Sequence, residues 1–442
     1  MKRIATLLMF CLLGAGAIAQ TGNPNHKWFE EARFGLFVHF GPYSALCDGE
    51  WVMNNKGIAV HDYKKLQHVF NPQLFDAKKL VGIAKDAGMK YITFTSRHHD
   101  GFSNWDTKQS DWNIMRTPYG KDIIRQLADE CHKEGIKLVL YYSLLDWSRN
   151  DYSHTTGRTG KKTGRTEQKE WISYVSFMKA QLTELLTGYG EIAGIWFDGE
   201  WDQLPEENQK VSHDMSAVDW HFGEIYDLIH TLQPSCMIAN NHHLPALPGE
   251  DYQAFEKDLP GENTGAGFSA NQSISGRLPL ETCETINRSW GYNIRDNSFK
   301  STRQLVHLLV KAAGYGANFL LNVGPMPTGE VEDTCVVRLK EMGEWTSAYG
   351  KTIYGTTAGI VKPQTWGATT RKGSAHYVHI LKKESKQLTL QFPAAIRSAN
   401  WLNQNATSKL AWKQNKKAGS VTFDLSAIPD GFDAIIEVVA EK

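Results

Sequence analysis

Between residues 33 and 350 the chain changes hydrophobic period repeatedly, with short apolar runs of strand type alternating with longer amphipathic runs of helix type. Seven strand candidates stand out: "RFGLFVHFG", "KYITFTSRHH", "KLVLYYSLL", "IAGIWFDG", "SCMIANN", "LETCETI" and "NFLLNVGP". Between them lie "AKKLVGIAKDAG" and "KDIIRQLADECHKEG", each ending in the glycine that a helix C-terminus favours. Trp171, Tyr174, Val175, Met178, Leu182 and Leu185 recur at the helical period and predict a helix over 170–190. Such alternation over roughly 300 residues calls for a parallel sheet, and a (β/α)8 barrel is the common single-domain solution at that length. An eighth strand has no clear place in the pattern.

After about residue 360 the pattern becomes "AHYVHIL", "QLTLQF", "SVTFDL" and "AIIEVVA", short alternating runs separated by polar clusters. That is the signature of an antiparallel β-sandwich. The expected organisation is a catalytic α/β barrel over 20–355 and a C-terminal sandwich over 360–442. Ahead of both, Lys2 and Arg3 precede an apolar run that ends in Ala17-Ile18-Ala19. This describes a signal peptide over 1–19, too short for a membrane span, and predicts an exported chain, periplasmic or secreted. The remaining cysteines, Cys47, Cys131, Cys236, Cys283 and Cys335, are odd in number and lack metal-type spacing. Forty-eight acidic and 48 basic residues balance, which removes the electrostatic footprint of a nucleic-acid binder.

Barrel enzymes carry their chemistry at the C-terminal ends of the strands. Here those ends bear His39, then His98, His99 and Asp100, then Tyr142 with Asp146 and Trp147, then Trp196 and Asp198, while "GEWV" adds Glu50 and Trp51. Each has a bland alternative: Asp198-Gly199 is common turn chemistry, and a lone histidine on a strand is usually a core residue. Together they fit one of two chemistries. A metal hydrolase would use His39, His98, His99 and Asp198, but strand alternation puts His98 and His99 on opposite faces, and the first strand has no His-x-His pair. No metal or other cofactor is expected. Sugar recognition fits better, since neutral imidazole and phenol groups pair with hydroxyls and tryptophan faces stack on pyranoses. The segment "RNDYSHTTGRTGKKTGRTEQK" at 149–169 reads as a long polar loop, a surface excursion or a wall of the substrate cleft.

The ordered motifs "WFEEARFGLFVHFGPYS", "YITFTSRHHDGFSNWDTKQSDWN", "LVLYYSLLDW", "IWFDGEW", "ETCETINRSWGYN", "NFLLNVGPMPTGEV" and "IYGT" resemble those of glycoside hydrolase family 29, the α-L-fucosidases. The resemblance implies a barrel with a β-sandwich and metal-free hydrolysis of terminal α-L-fucosides with retention. By position, Asp198 corresponds to the nucleophile, and His39, His98, His99, Tyr142 and Trp196 to sugar-binding positions. Tyr142 is taken in preference to Tyr141, which is then expected to face the helices. Glu50 aligns with a pocket acid beside Trp51, and Trp290 with the aromatic against the fucose methyl. Glu256 in "GEDYQAFEKDLP" corresponds to the acid/base, with Glu281 as runner-up and Glu250 and Glu262 behind them. "NNHH" stands where many members have an arginine, leaving His242 or His243 to replace it. The implied partner is a fucosylated glycan, with α1,3/4 linkages favoured by the "GEDY" region. The same scaffold would also suit a galactosidase or a non-catalytic glycan-binding member.

Overall fold

The computed structural model describes residues 23–206, 210–263 and 268–441. The expected signal peptide lies outside them. Eight parallel strands form one sheet: β1 (Phe34–Val38), β2 (Tyr91–Arg97), β3 (Lys137–Ser143), β4 (Gly194–Asp198), β5 (Met237–Asn241), β6 (Gln253–Glu256), β7 (Leu280–Thr285) and β8 (Ala317–Val323). Their order, β5-β4-β3-β2-β1-β8-β7-β6, is that of a (β/α)8-like barrel nearly closed on itself. At the remaining seam the Asp251 and Tyr252 amides both donate to the Ile238 carbonyl, at 2.8 and 3.3 Å, just ahead of β6.

The strand without a place in the sequence pattern is β6. It is four residues long and reads Gln-Ala-Phe-Glu, so it offers no apolar run to detect. The other seven coincide with the expected runs. Helices pack outside them and start where the sequence signals. Asp76 caps Ala77–Asp86 by accepting from the Lys79 amide at 3.1 Å, and Asp122 caps Ile123–Glu134 through the Arg125 amide at 2.8 Å. Gly135 closes the second helix at φ 70°. The helix expected over 170–190 spans Trp171–Gly188 and buries Tyr174, Val175, Met178, Leu182 and Leu185.

The lumen and the outer layer have separate cores. Side chains such as Leu138, Leu140 and Tyr142 of β3 join the large cluster under the helices, whereas Val139 and Tyr141 join a smaller, aromatic-rich lumen cluster with Phe37, Tyr91 and Trp196. Phe29, from the helix His26–Ala32, packs on Tyr91 and Tyr252 at 5.6 and 4.4 Å between ring centroids and fills the lumen on the side where the strands begin.

Beyond the helix Asp333–Tyr349 two antiparallel sheets follow. One is ordered β13-β16-β11-β10-β9 (Ile396–Trp401, Ala434–Ala440, Ala375–Ile380, Gly367–Lys372, Thr357–Ala358), the other β12-β15-β14 (Gln387–Gln391, Ser420–Asp424, Trp412–Asn415). Val378, Leu390, Phe392, Val421, Phe423 and Ile436 form their shared core, against which Trp401 and Trp412 pack. The five cysteines from Cys47 to Cys335 are free thiols, four of them buried. Among the described residues no helix is long and apolar enough to cross a membrane.

Candidate active site

Parallel strands deliver their C-terminal ends to one rim, and there a cavity of about 370 Å³ opens among residues of seven strand ends and their loops. It is lined by His39, Glu50, Trp51, His98, His99, Trp196, Asp198, Glu256 and Trp290, nine of the ten positions expected to form the catalytic pair and bind sugar. The tenth is corrected: Tyr141 lines the cavity, and Tyr142 turns away from it. The Tyr142 hydroxyl donates to Gln181 Oε1 at 2.9 Å under the outer helix and accepts from Arg97 at 3.2 Å. Both faces of β3 are buried, so polarity along the strand carried no sign of which face is the lumen.

Asp198 ends β4 and is held by three donors. Tyr141 Oη donates to Oδ2 at 2.8 Å, Trp201 Nε1 to Oδ1 at 2.9 Å, and Asn241 Nδ2 to Oδ1 at 3.4 Å. Of the two tryptophans in "WFDGEW", Trp196 therefore belongs to the lumen and Trp201 holds the aspartate. Between them Gly199 adopts φ 111°, and a Cβ there would meet the Leu145 backbone nitrogen at 2.8 Å, so only glycine fits this turn.

Glu256 ends β6 and accepts from Asn241 Nδ2 at 2.8 Å, with His243 Nε2 at 3.3 Å. One amide thus spans both carboxylates. With arms of 2.8 and 3.4 Å to a single nitrogen, the two oxygens lie at most about 6.2 Å apart. Glu281, the alternative acid, begins β7 instead of ending it. It lies in the lumen, accepting from the Tyr91 hydroxyl and from Trp196 Nε1 at 3.0 Å, and burial pushes its carboxyl up to about 7. Glu250 bonds His242 and Tyr226, and Glu262 bonds Tyr315, so neither lines the cavity.

Burial and the charge of Glu256 push Asp198 up to about 6. Burial also opposes charge on Glu256, but His243 and Asn241 outweigh it and hold that carboxyl below its usual range. The surroundings of the pair thus favour negative charge on Glu256 and a proton on Asp198.

The three histidines stay neutral. Burial lowers His39 to about 4 and holds His98 and His99 well below their ordinary value. Their neighbours fix two tautomers. Asn322 donates through its amide to the Trp290 carbonyl, so its Oδ1 accepts from His39 Nδ1 at 2.7 Å. Ser143 donates to the Leu145 carbonyl, so its oxygen accepts from His99 Nδ1 at 2.7 Å. Each ring is left with Nε2 as an acceptor, the form that takes a hydroxyl proton.

The expected separation of His98 from His99 does not occur. β2 ends at Arg97 after a register shift between Thr95 and Arg97, and beyond the strand both rings turn to the cavity, with centroids 4.1 Å apart. Of the loop after β3, Arg158 reaches the cavity lining. Glu50 accepts the Gly291 amide at 2.7 Å and so anchors the turn that presents Trp290.

Sequence reasoning missed Tyr141, Asn241 and Arg158. Asn241 ends β5 and pairs in register with Asp198, a relation that the structure alone displays.

The alpha-L-fucosidase family model matches residues 17–351. The chain belongs to the alpha-L-fucosidase family. This fucosidase is 27% identical to the alpha-L-fucosidase of Dictyostelium discoideum over 95% of its own length and 90% of the relative's. It is 26% identical to the tissue alpha-L-fucosidase of Homo sapiens, over 99% and 97%. Among solved structures, alpha-L-fucosidase isoenzyme 1 from Paenibacillus thiaminolyticus superposes with a TM-score of 0.80 at 32% identity, covering 95% of this chain and 99% of that one.

Proposed function

We propose that Asp198 and Glu256 carry out a two-step, retaining hydrolysis of terminal α-L-fucosides. The observation that carries this reading is the Asn241 bridge, because one amide bonded to both carboxylates keeps their oxygens within about 6.2 Å, short of the roughly 6.5–9.5 Å that inverting pairs need to seat a water. Asp198 attacks the anomeric carbon while Glu256 gives its proton to the departing oxygen. Glu256 then takes a proton from water, which releases the sugar from Asp198. Turnover needs the pair singly protonated with the proton on Glu256, so binding must move it there from Asp198. Tyr141, Trp201 and Asn241 stabilise the carboxylate that the move creates.

His39 and His99 accept sugar hydroxyls through Nε2, and His98 lines the same side. Phe37, Trp196 and Trp290, packed at centroid distances of 5.2 and 5.7 Å, offer an apolar surface for the C5 methyl of fucose. The blind lumen below Trp196 suits an exo-acting enzyme that takes a terminal residue. Export by a cleaved leader over 1–19 and a preference for α1,3/4 linkages complete the proposal.

The test is hydrolysis of p-nitrophenyl α-L-fucoside, with the β-D-galactoside as a control arm. Asp198→Ala should abolish turnover. Glu256→Ala should regain turnover with azide and yield a fucosyl azide. A Glu256→Ala enzyme that ignores azide, while Glu281→Ala responds, would overturn the acid/base assignment. Trisaccharides with α1,3- or α1,4-linked fucose should turn over faster than an α1,2-linked one.

A further inference from the structure

Beside the catalytic rim, Glu200, His213 and His242 each place a ligand-type atom so that all three atoms lie within 4.8 Å of one another. They come from three segments: the turn Glu200–Gln203, two residues past Asp198; the turn His213–Met215; and the loop that follows β5. None of the three lines the sugar cavity.

The cluster has the features of a built metal site. Glu200 Oε1 stands 2.8 Å from His213 Nδ1, near the roughly 3 Å that two ligands keep when each bonds one ion at about 2.0–2.1 Å. The two imidazoles meet edge to face, with centroids 4.5 Å apart. Each is oriented from behind, His213 Nε2 by the Pro245 carbonyl at 2.8 Å and His242 Nε2 by Glu250 Oε1 at 2.9 Å. A carbonyl or carboxylate behind the ring is the usual support of a ligating histidine, and Tyr226 in turn donates to Glu250 at 3.3 Å.

A second observation is independent of these distances. Glu200 is 1% exposed, and its Oε2 is buried with no hydrogen-bond partner. A buried carboxylate oxygen without a donor is costly, and a cation supplies what it lacks. Glu200 and His213 also line a groove of about 610 Å³ that opens to solvent and provides an entry path.

We propose that Glu200, His213 and His242 bind one divalent transition-metal ion, with zinc the best match to two imidazoles and one carboxylate. Water from the groove takes the fourth position. Without the ion, both His213 nitrogens face acceptors, so the ring carries two protons. The ion takes the place of the Nδ1 proton, which leaves to solvent. His242 Nδ1 now accepts the Leu244 amide at 3.0 Å, and its lone pair turns from that amide to the ion. The bound ion ties together the loops that follow β4 and β5, which carry Asp198 and Asn241 at their roots. It takes no part in bond cleavage.

The experiment uses untagged full chain stripped by chelator dialysis, then loaded with zinc chloride and desalted. One zinc per chain should remain by elemental analysis, and the melting temperature should rise by about 2–4 °C. His213→Ala and His242→Ala should each lose the retained zinc and the shift, and zinc-edge diffraction should place an anomalous peak among the three side chains. Stripped wild type that retains no zinc overturns the site, as does equal retention by both variants or a peak elsewhere. Wild-type measurements alone decide the matter if a variant fails to fold. Loss of p-nitrophenyl fucoside turnover on stripping would overturn the purely structural role.

Discussion

Adjacent tyrosines on β3 should give opposite results when each loses its hydroxyl. Tyr141→Phe removes a 2.8 Å bond to the buried Asp198 carboxylate. A hydrogen bond to a charged group contributes about 1.5–3 kcal/mol, and the loss falls on the form of the pair in which Asp198 is ionised and Glu256 protonated. That form is the reactive one, so its population, and with it kcat/KM, should fall about 10- to 150-fold with the fold intact. Tyr142→Phe instead leaves Gln181 Oε1 without its 2.9 Å donor beneath the outer helix. The cost there is about 1–3 kcal/mol of stability, with kcat/KM unchanged. Initial rates on p-nitrophenyl α-L-fucoside and urea unfolding of the three proteins make the comparison. A Tyr141→Phe enzyme within twofold of wild type, or a Tyr142→Phe enzyme that loses turnover at full stability, would refute the reasoning.

The pair loses its last proton as pH rises through about 6, the range to which Asp198 is raised, so the alkaline limb of kcat/KM should lie near there. His243→Phe removes a group that favours charge on Glu256 and should move that limb upward; a pH-rate series on both enzymes checks the sign. His39 is lowered to about 4, so the folded chain refuses a proton that the unfolded chain accepts below about 6.5. The His39 contribution should therefore decline by roughly 3 kcal/mol on acidification toward pH 4, and the urea midpoint of wild type should fall relative to that of His39→Gln across the interval, a comparison in which the raised carboxyls of Asp198 and Glu281 cancel. Glu281→Gln should keep measurable turnover and show no azide product, since Glu281 faces the lumen core and not the glycosidic oxygen.

The parts of the fold that were legible in the sequence are those where one physical signal dominates. Strands β1, β2, β3, β4, β5, β7 and β8 are apolar because helices cover them, and Asp76, Asp122 and the glycines after the helices mark real caps. Strand β6 was not legible because four residues with polar ends make no period. In the sandwich, β11, β12, β15 and β16 coincide with the expected apolar runs, whereas β9 is two residues long and β14 reads Trp-Lys-Gln-Asn. Most of the cavity was legible through its motifs and the rule that chemistry gathers at strand ends. Tyr141 was not, because both faces of β3 are buried. His98 and His99 were misread because alternation stops where the strand does. Asn241 was passed over because an asparagine at a strand end reads as a turn former, and only the third dimension puts its amide between two acids.

The barrel seam gives that amide a further consequence. Asp198 and Asn241 are register partners on paired strands, so their relative position is fixed by the sheet. Glu256 stands across the gap between β5 and β6, where no strand pairing runs among the described residues and the ties are the amides leading into β6, the Asp251 carboxylate on the Ile238 amide, and Asn241 itself. The pair therefore works like a caliper whose two jaws belong to different pieces of the frame, with one side chain as the set screw. Loosening that screw would let the jaws drift wide enough to admit a water molecule, and the anomeric configuration of the released sugar would then record the width of the gap.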